Sequence, residues 1–160
     1  MKALIDTNVI VDVLQQREPW CNEGNQIFIA AACNEITGCI TAKQAADIHF
    51  FSRKQFKGEE NVDQKARTVI SKLFALFEVL DTLAVDCQNA LGEANNDYED
   101  AILIETAIRT GVDCIVTGNT ADFASSPVQV LSPGDFLKLL SPETEDKRRF
   151  ASWRERKSTP

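Results

Sequence analysis

Histidine is almost missing from this sequence: His49 stands alone among 160 residues. Catalysis by a Ser-His-Asp or Cys-His arrangement therefore has one residue to rest on, and a histidine-rich zinc site is excluded. The five cysteines (Cys21, Cys33, Cys39, Cys87 and Cys114) are odd in number and never closer than six positions apart. Neither a disulfide framework nor a CxxC zinc or redox motif is indicated, and most are expected to be reduced, small core residues. Any metal bound by such a chain finds its ligands among oxygens. No apolar run approaches the roughly 18 to 20 residues that cross a bilayer. The N-terminus lacks the apolar block and small-residue cleavage site of a signal peptide, so a cytosolic location is expected. A Walker A P-loop and a GxGxxG fingerprint are both absent, which leaves nucleotide-dependent enzymes of those types without support.

What is present suits one globular domain with an ordinary core: 44% hydrophobic and 26% charged residues. The net charge of −7 argues against grip on nucleic acid by basic surface alone. The charge is unevenly placed. Lys147, Arg148, Arg149, Arg154, Arg156 and Lys157 stand against Glu155 alone, so the last fourteen residues carry +5 and residues 1–146 carry −12. An acidic body with a basic tail fits a carboxylate metal site beside a segment that reaches an RNA backbone, an acidic partner or a neighbouring subunit; a solvated tail with no role fits it as well.

Short apolar β-type runs alternate with longer helical patterns, the signature of βαβ units in a mainly parallel sheet. Strands are expected at Lys2 to Ile5, Thr37 to Ile40, Glu78 to Leu80, Cys114 to Thr117 and Val128 to Leu131. Between them lie helices at Val9 to Leu14, Cys21 to Asn34, from Thr41, Val62 to Phe77, Val85 to Leu91, Tyr98 to Thr110 and Pro133 to Leu140. Thr41-Ala-Lys-Gln44 has the capping-box pattern. Asn95-Asn96-Asp97 reads as a cap, Gly111 as a left-handed helix stop, and Ser132-Pro133 as cap and first helical position. Gly118 to Ala124 reads as a polar loop. Residues 1–140 are expected to form the domain and 141–160 a charged, basic tail.

In open α/β sheets ligands bind beyond the carboxyl ends of the strands. Asp6 ends the first strand, Asp47 lies early in the helix after the second, and Asn119 and Asp122 follow the fourth. Asp97 and Asp100 open the helix that runs back into the fourth strand, so four segments bring acids to one rim. Gathering carboxylates is costly unless a cation neutralises them, and hard divalent cations prefer oxygen ligands. Each acid also has a structural use: Asp6 as a helix cap, Asp97 and Asp100 against a helix dipole, Asp122 in a turn, and Asp47 on a solvated face. Asp12, Glu99 and Glu105 are expected to be surface acids.

Three segments together resemble the PIN-domain family of VapC-like toxins and ribonucleases: Leu4-Ile-Asp-Thr-Asn-Val-Ile10, Asp97-Tyr-Glu-Asp-Ala-Ile-Leu-Ile104 and Ile115-Val-Thr-Gly-Asn-Thr-Ala-Asp-Phe123. The resemblance runs from about Lys2 to about Leu140. It implies an α/β fold with a central parallel five-stranded sheet and helices on both faces. It also implies an Mg²⁺- or Mn²⁺-dependent endoribonuclease acting on single-stranded RNA. Mapped by motif, Asp6, Asp100 and Asp122 are three of the family's acids, and Asp47 takes the place of a fourth that in many members is Glu. Asn8, Thr117 and Asn119 match orienting positions, and Asp97 an additional ligand. An antitoxin protein and a homodimer are the partners the resemblance suggests.

Two other readings bear on the same residues. Phosphatases of the haloacid dehalogenase type also place Asp after a first strand, but they resemble Asp-x-Asp-x-Thr, and here Asn8 removes the second carboxylate. A non-catalytic binding module that keeps the fold and acts through protein contacts stays open, and its behaviour would be the same with Mn²⁺ or EDTA.

Overall fold

Ala3, Leu4 and Ile5 are wholly buried, so β1 (Lys2–Ile5) is covered on both faces, as the centre of a parallel sheet requires. The computed structural model describes residues 1–92 and 97–141. In it β2 (Thr37–Thr41), β3 (Glu78–Leu80), β4 (Cys114–Val116) and β5 (Gln129–Leu131) complete one sheet in the order β3-β2-β1-β4-β5. All four pairings are parallel, and Leu4 lies opposite Cys39 on one side and Ile115 on the other. The chain builds outward from β1 through β2 to β3, then returns to lay β4 on β1's other edge. The order of strands therefore switches between β1 and β4, and a crevice opens at their carboxyl ends.

Seven α-helices occur among the described residues: α1 (Thr7–Leu14), α2 (Cys21–Ala32), α3 (Ala42–Gln55), α4 (Val62–Leu76), α5 (Ala84–Ala90), α6 (Tyr98–Thr110) and α7 (Pro133–Leu140). Strand alternation splits the core between the two faces. Ala3, Ile5 and Ile40 pack with Ile10, Ile27, Ile48, Leu73 and Phe136 of five helices. On the other face Leu4, Cys39 and Ile115 pack with Leu103, Ile104 and Ala107 of α6. Helices thus cover both faces, as expected. All five cysteines are free thiols, three of them buried, and no helix of the described residues is long and apolar enough to cross a membrane.

Local chemistry sets the element ends. Thr41 Oγ1 accepts from the Gln44 amide at 3.2 Å and Gln44 Oε1 accepts from the Thr41 amide at 2.7 Å, completing the capping box of α3. Gly111 stops α6 at φ 64°, a left-handed conformation that costs glycine little. Ser132 caps α7 through the Asp135 amide at 3.1 Å, with Pro133 at the first helical position.

Several boundaries move by one or two residues. One difference is of kind: the stretch 118–124 is a polar loop only in part, because Thr120–Phe123 form a 3₁₀ turn. Phe123 is 1% exposed and belongs to the core under α6. A single apolar anchor thus fixes a segment of otherwise polar composition. In α4, Ala66 and Leu73 are buried as the periodicity predicts, whereas Phe74 is exposed. The cap residues Asn95 and Asn96 and the basic tail beyond residue 141 lie outside the described residues.

α5 is tied to α6 by an ion pair. Asp86 is buried and accepts from Arg109 Nε at 2.7 Å and Nη2 at 2.8 Å, from Thr106 Oγ1 at 3.2 Å and from the Leu83 amide at 2.8 Å. Hydrogen bonding to Arg109 is the main reason that the Asp86 carboxyl lies below its usual range, against the opposing effect of burial.

Candidate metal centre at the switch point

The crevice between β1 and β4 is occupied at its floor by Asp6. Asp6 follows β1 directly and takes the N-cap position of α1, but its side chain makes no capping hydrogen bond. Instead Oδ2 accepts from Asn8 Nδ2 at 2.6 Å and from Thr117 Oγ1 at 2.8 Å. The same Asn8 Nδ2 is 3.1 Å from Thr117 Oγ1, and Asn8 Oδ1 accepts from the Gly118 amide at 3.0 Å. One asparagine therefore clamps the ends of β1 and β4 around a buried carboxylate. Both side-chain bonds fall on one oxygen of Asp6, which leaves Oδ1 outside the clamp. Burial raises the pKa of Asp6, the Thr117 hydroxyl and the nearby amides of Thr7 and Asn8 act to lower it, and the charge of Asp97 adds to the rise.

Gln44 supports this floor from the first turn of α3. Besides closing the capping box, its Nε2 donates to the Ile5 carbonyl at 2.9 Å and to Thr7 Oγ1 at 3.2 Å. The residue before Asp6 and the one after it are thereby tied to the start of α3. Thr117 bridges further: its Oγ1 accepts from the Asn119 amide at 3.0 Å, and Asn119 Nδ2 donates to Asp122 Oδ2. The 3₁₀ turn anchored by Phe123 carries Asp122 to the same rim.

Above the floor lies a cavity of about 580 Å³ lined by Asp6, Asn8, Asp47, Asp97, Asp100, Asn119 and Asp122. Seven of the eight residues expected from sequence thus face one space, and the eighth, Thr117, is the buried hydroxyl beneath Asp6. Asp97 caps α6 by accepting from the Glu99 amide at 2.8 Å. Asp100, half-buried one turn into that helix, is the electrostatic focus. Its pKa is pushed up to about 7, first by burial and then by the charges of Asp6, Asp97, Asp122 and Glu99.

Asp47 faces a cation of the protein's own. Lys43 Nζ lies 2.8 Å from Asp47 and 3.2 Å from Glu99. Burial works against the lysine's charge, but hydrogen bonds to those two acids outweigh it and hold its pKa above the ordinary value. Glu99 is therefore more than the surface acid it is expected to be, since it lines the cavity and helps hold Lys43. Lys43, Arg17, Phe50 and Phe51 also line the cavity, and a search for acids does not find them. The four-residue spacing of Lys43 and Asp47 on one helix is the one signal that could have.

Among the described residues no three His, Cys, Asp or Glu side chains stand already gathered as a ligand set. The donor chemistry nevertheless fits a hard divalent ion: all candidates are carboxylates, and the repulsion that raises Asp100 is the cost such an ion relieves. A consequence follows for the metal-free protein. Asp100 holds its proton in the folded state up to about pH 7, whereas an unfolded Asp releases it near pH 4. The folded state binds more protons between those values, so stability falls as pH rises from about 4 to about 7 and is level above. Thermal melts of EDTA-treated protein should show that fall, and Asp100→Asn should flatten it. Equal slopes in the two proteins would remove Asp100 as its source.

Comparison with known proteins agrees with the fold. A family model described as PIN domain matches residues 2–121. Asp122 lies one position beyond that match. Among solved structures, VapBC2 from Rickettsia felis bound to a promoter DNA fragment is 17% identical, with a TM-score of 0.59 over 82% of this chain and 98% of that one. A DNA-bound VapBC from Salmonella typhimurium is 17% identical with a TM-score of 0.60, covering 83% of this chain and 98% of that one. The sarcin-ricin loop cleaving toxin VapC20 of Mycobacterium tuberculosis is 10% identical with a TM-score of 0.60, covering 80% and 98%. At these identities the likeness is one of fold. No curated protein sequence matches the chain.

Proposed function

Since the chain belongs to the PIN-domain family, we propose that it is an Mg²⁺- or Mn²⁺-dependent endoribonuclease that hydrolyses phosphodiester bonds of single-stranded RNA. The observation that carries this reading is that Asp6, Asp47, Asp100 and Asp122, each from a different segment, line one cavity at the carboxyl ends of the strands. Their mutual repulsion, which falls most heavily on Asp100, is what a divalent cation would relieve. Asp6, Asp100 and Asp122 would hold the ion, with Asp47, which pairs with Lys43, as the fourth acid. The ion, when bound, offsets charge on the phosphate oxygens and activates water for in-line attack on phosphorus.

The remaining residues hold and orient. Asn8 and Thr117 fix the Asp6 carboxylate, Asn119 fixes Asp122, and Asp97 secures the first turn of α6 so that Asp100 keeps its place. No side-chain nucleophile is needed. Lys43 and Arg17 add positive charge at the mouth of an otherwise acidic cavity, where a phosphate backbone has to approach. Residues 1–140 form the nuclease domain in this reading, and the basic tail adds charge for the RNA.

The solved VapBC complexes support a toxin role and an antitoxin partner for this chain; a homodimeric state and a cytosolic location belong to the same proposal. The deciding test is cleavage of a panel of structured and single-stranded RNAs with Mn²⁺, Mg²⁺ or EDTA. Cleavage that depends on metal is expected. No cleavage across the panel, with no heat of metal binding by calorimetry, would transfer the fold to a binding module that acts through protein contacts.

A further inference from the structure

α3 turns two different faces outward and inward. Its buried residues Gln44, Ile48 and Ser52 recur every fourth position and face the protein. Lys43, Asp47, Phe50 and Lys54 recur at four, three and four positions, so they form a second stripe beside the first. Phe50 is on no core cluster and is 55% exposed, yet it lines the same cavity as the acids, with Phe51 beside it at 6.0 Å between ring centroids. Lys54 Nζ stands 4.3 Å from the centre of the Phe50 ring. The stripe thus carries a cation, an acid, an aromatic ring and a second cation in succession.

We infer that Phe50 is a stacking platform for the base adjacent to the phosphodiester bond that is cut; this rests on the nuclease reading of the cavity. At a rise of roughly 1.5 Å per residue, Phe50 lies about 4.5 Å along α3 from Asp47, on the order of one nucleotide step, about 3.4 Å in a stacked strand. An aromatic ring at that distance from Asp47, with Lys54 over it and Lys43 lining the same cavity, matches the recurring design for unpaired nucleic acid: a ring for the base and cations for the backbone. Stacking needs an open base face. A duplex covers both faces of every internal base with its neighbours, so the ring selects a strand whose base is free to turn out. Folding gives no other account of the ring, because the core-facing stripe of α3 is complete without it.

The test compares wild type, Phe50→Ala and Phe50→Trp on a labelled single-stranded RNA with Mn²⁺. The same RNA is then made abasic, one position at a time, on either side of the cut. Phe50→Ala should lower kcat/KM about tenfold, the scale on which alanine replacement of a stacking aromatic acts. The loss should fall mainly in KM, and Phe50→Trp should restore it. At one abasic position wild type and Phe50→Ala should cleave alike, which marks the stacked base. Melting temperatures should match, because the ring is exposed. Cleavage of the intact RNA by Phe50→Ala at the wild-type rate overturns the platform while leaving the nuclease reading in place. An equal loss on every abasic RNA does the same. If Phe50→Ala cleaves normally and instead loses affinity for a co-purifying protein, the ring is a protein contact and the inference fails. Failure of wild type itself to cleave or bind any RNA removes both readings together.

Discussion

Asp6→Asn is expected to fold normally and to lose metal-stimulated cleavage by about 10³-fold or more, equivalent to about 4 kcal/mol of transition-state stabilisation. The reason lies in how the carboxylate is held. An asparagine oxygen at the same place still accepts from Asn8 Nδ2 and the Thr117 hydroxyl, so the clamp between β1 and β4 survives. What disappears is the negative charge at the floor of the cavity. Its removal also relieves Asp100, whose raised pKa owes part of its shift to Asp6, so the metal-free variant should melt no lower than wild type. Initial rates with Mn²⁺, read beside circular dichroism and a thermal melt, separate loss of chemistry from loss of fold. Wild-type turnover in a folded Asp6→Asn protein would sink the site assignment.

The largest stability change should come from a residue outside the cavity. Asp86→Ala leaves the Leu83 amide, the Thr106 hydroxyl and the Arg109 guanidinium without their shared acceptor. Removal of one partner of a buried pair strands the rest, and here the cost should be about 3 kcal/mol, with partial exposure of Arg109 keeping it at the lower end. For a domain of this size that corresponds to a melting temperature lower by about 6 to 12 °C. The sign of its pH dependence is opposite to that of Asp100. The Asp86 carboxyl is held below its unfolded value, chiefly by Arg109. Its contribution is therefore full above about pH 4 and lost as pH falls through the lower folded value. Melts of wild type and Asp86→Ala should converge in acid; a constant gap down to the lowest pH would assign the loss to packing rather than to the ion pair.

Much of the fold around the candidate site was legible because it is built from local signals. An apolar run that stops at Asp6, a capping box at Thr41 and Gln44, and a glycine stop at Gly111 are patterns of nearest neighbours, and each has its expected place in the structure. Topology then carries the acids to one rim, since strands in a parallel sheet all point their carboxyl ends the same way. What stayed hidden depends on contacts between distant residues. Gln44 satisfies its capping box and also reaches the Ile5 carbonyl, 39 residues away, and no local pattern specifies the second bond. Glu99 looks like any first-turn acid until Lys43 from another helix is set against it. Phe123 is one apolar residue among polar ones, too short a signal to reveal a core anchor, and Phe50 resembles a core residue of α3 until the buried stripe is seen to pass it by.

The clamp on Asp6 reaches across as many as 111 positions, because the Thr117 hydroxyl and the Gly118 amide directly follow β4, the strand that is laid against β1 only after β2, β3 and six helices have been made. During synthesis, the first acid of the site emerges from the ribosome long before the groups that hold it, and closing so long a loop is slow compared with local folding. A chain interrupted before residue 117 has Asp6 but nothing to fix its carboxylate, and it lacks Asp122 altogether. Fragments released early from the ribosome thus lack the assembled acid cluster, and only a nearly complete copy brings all the candidate ligands together.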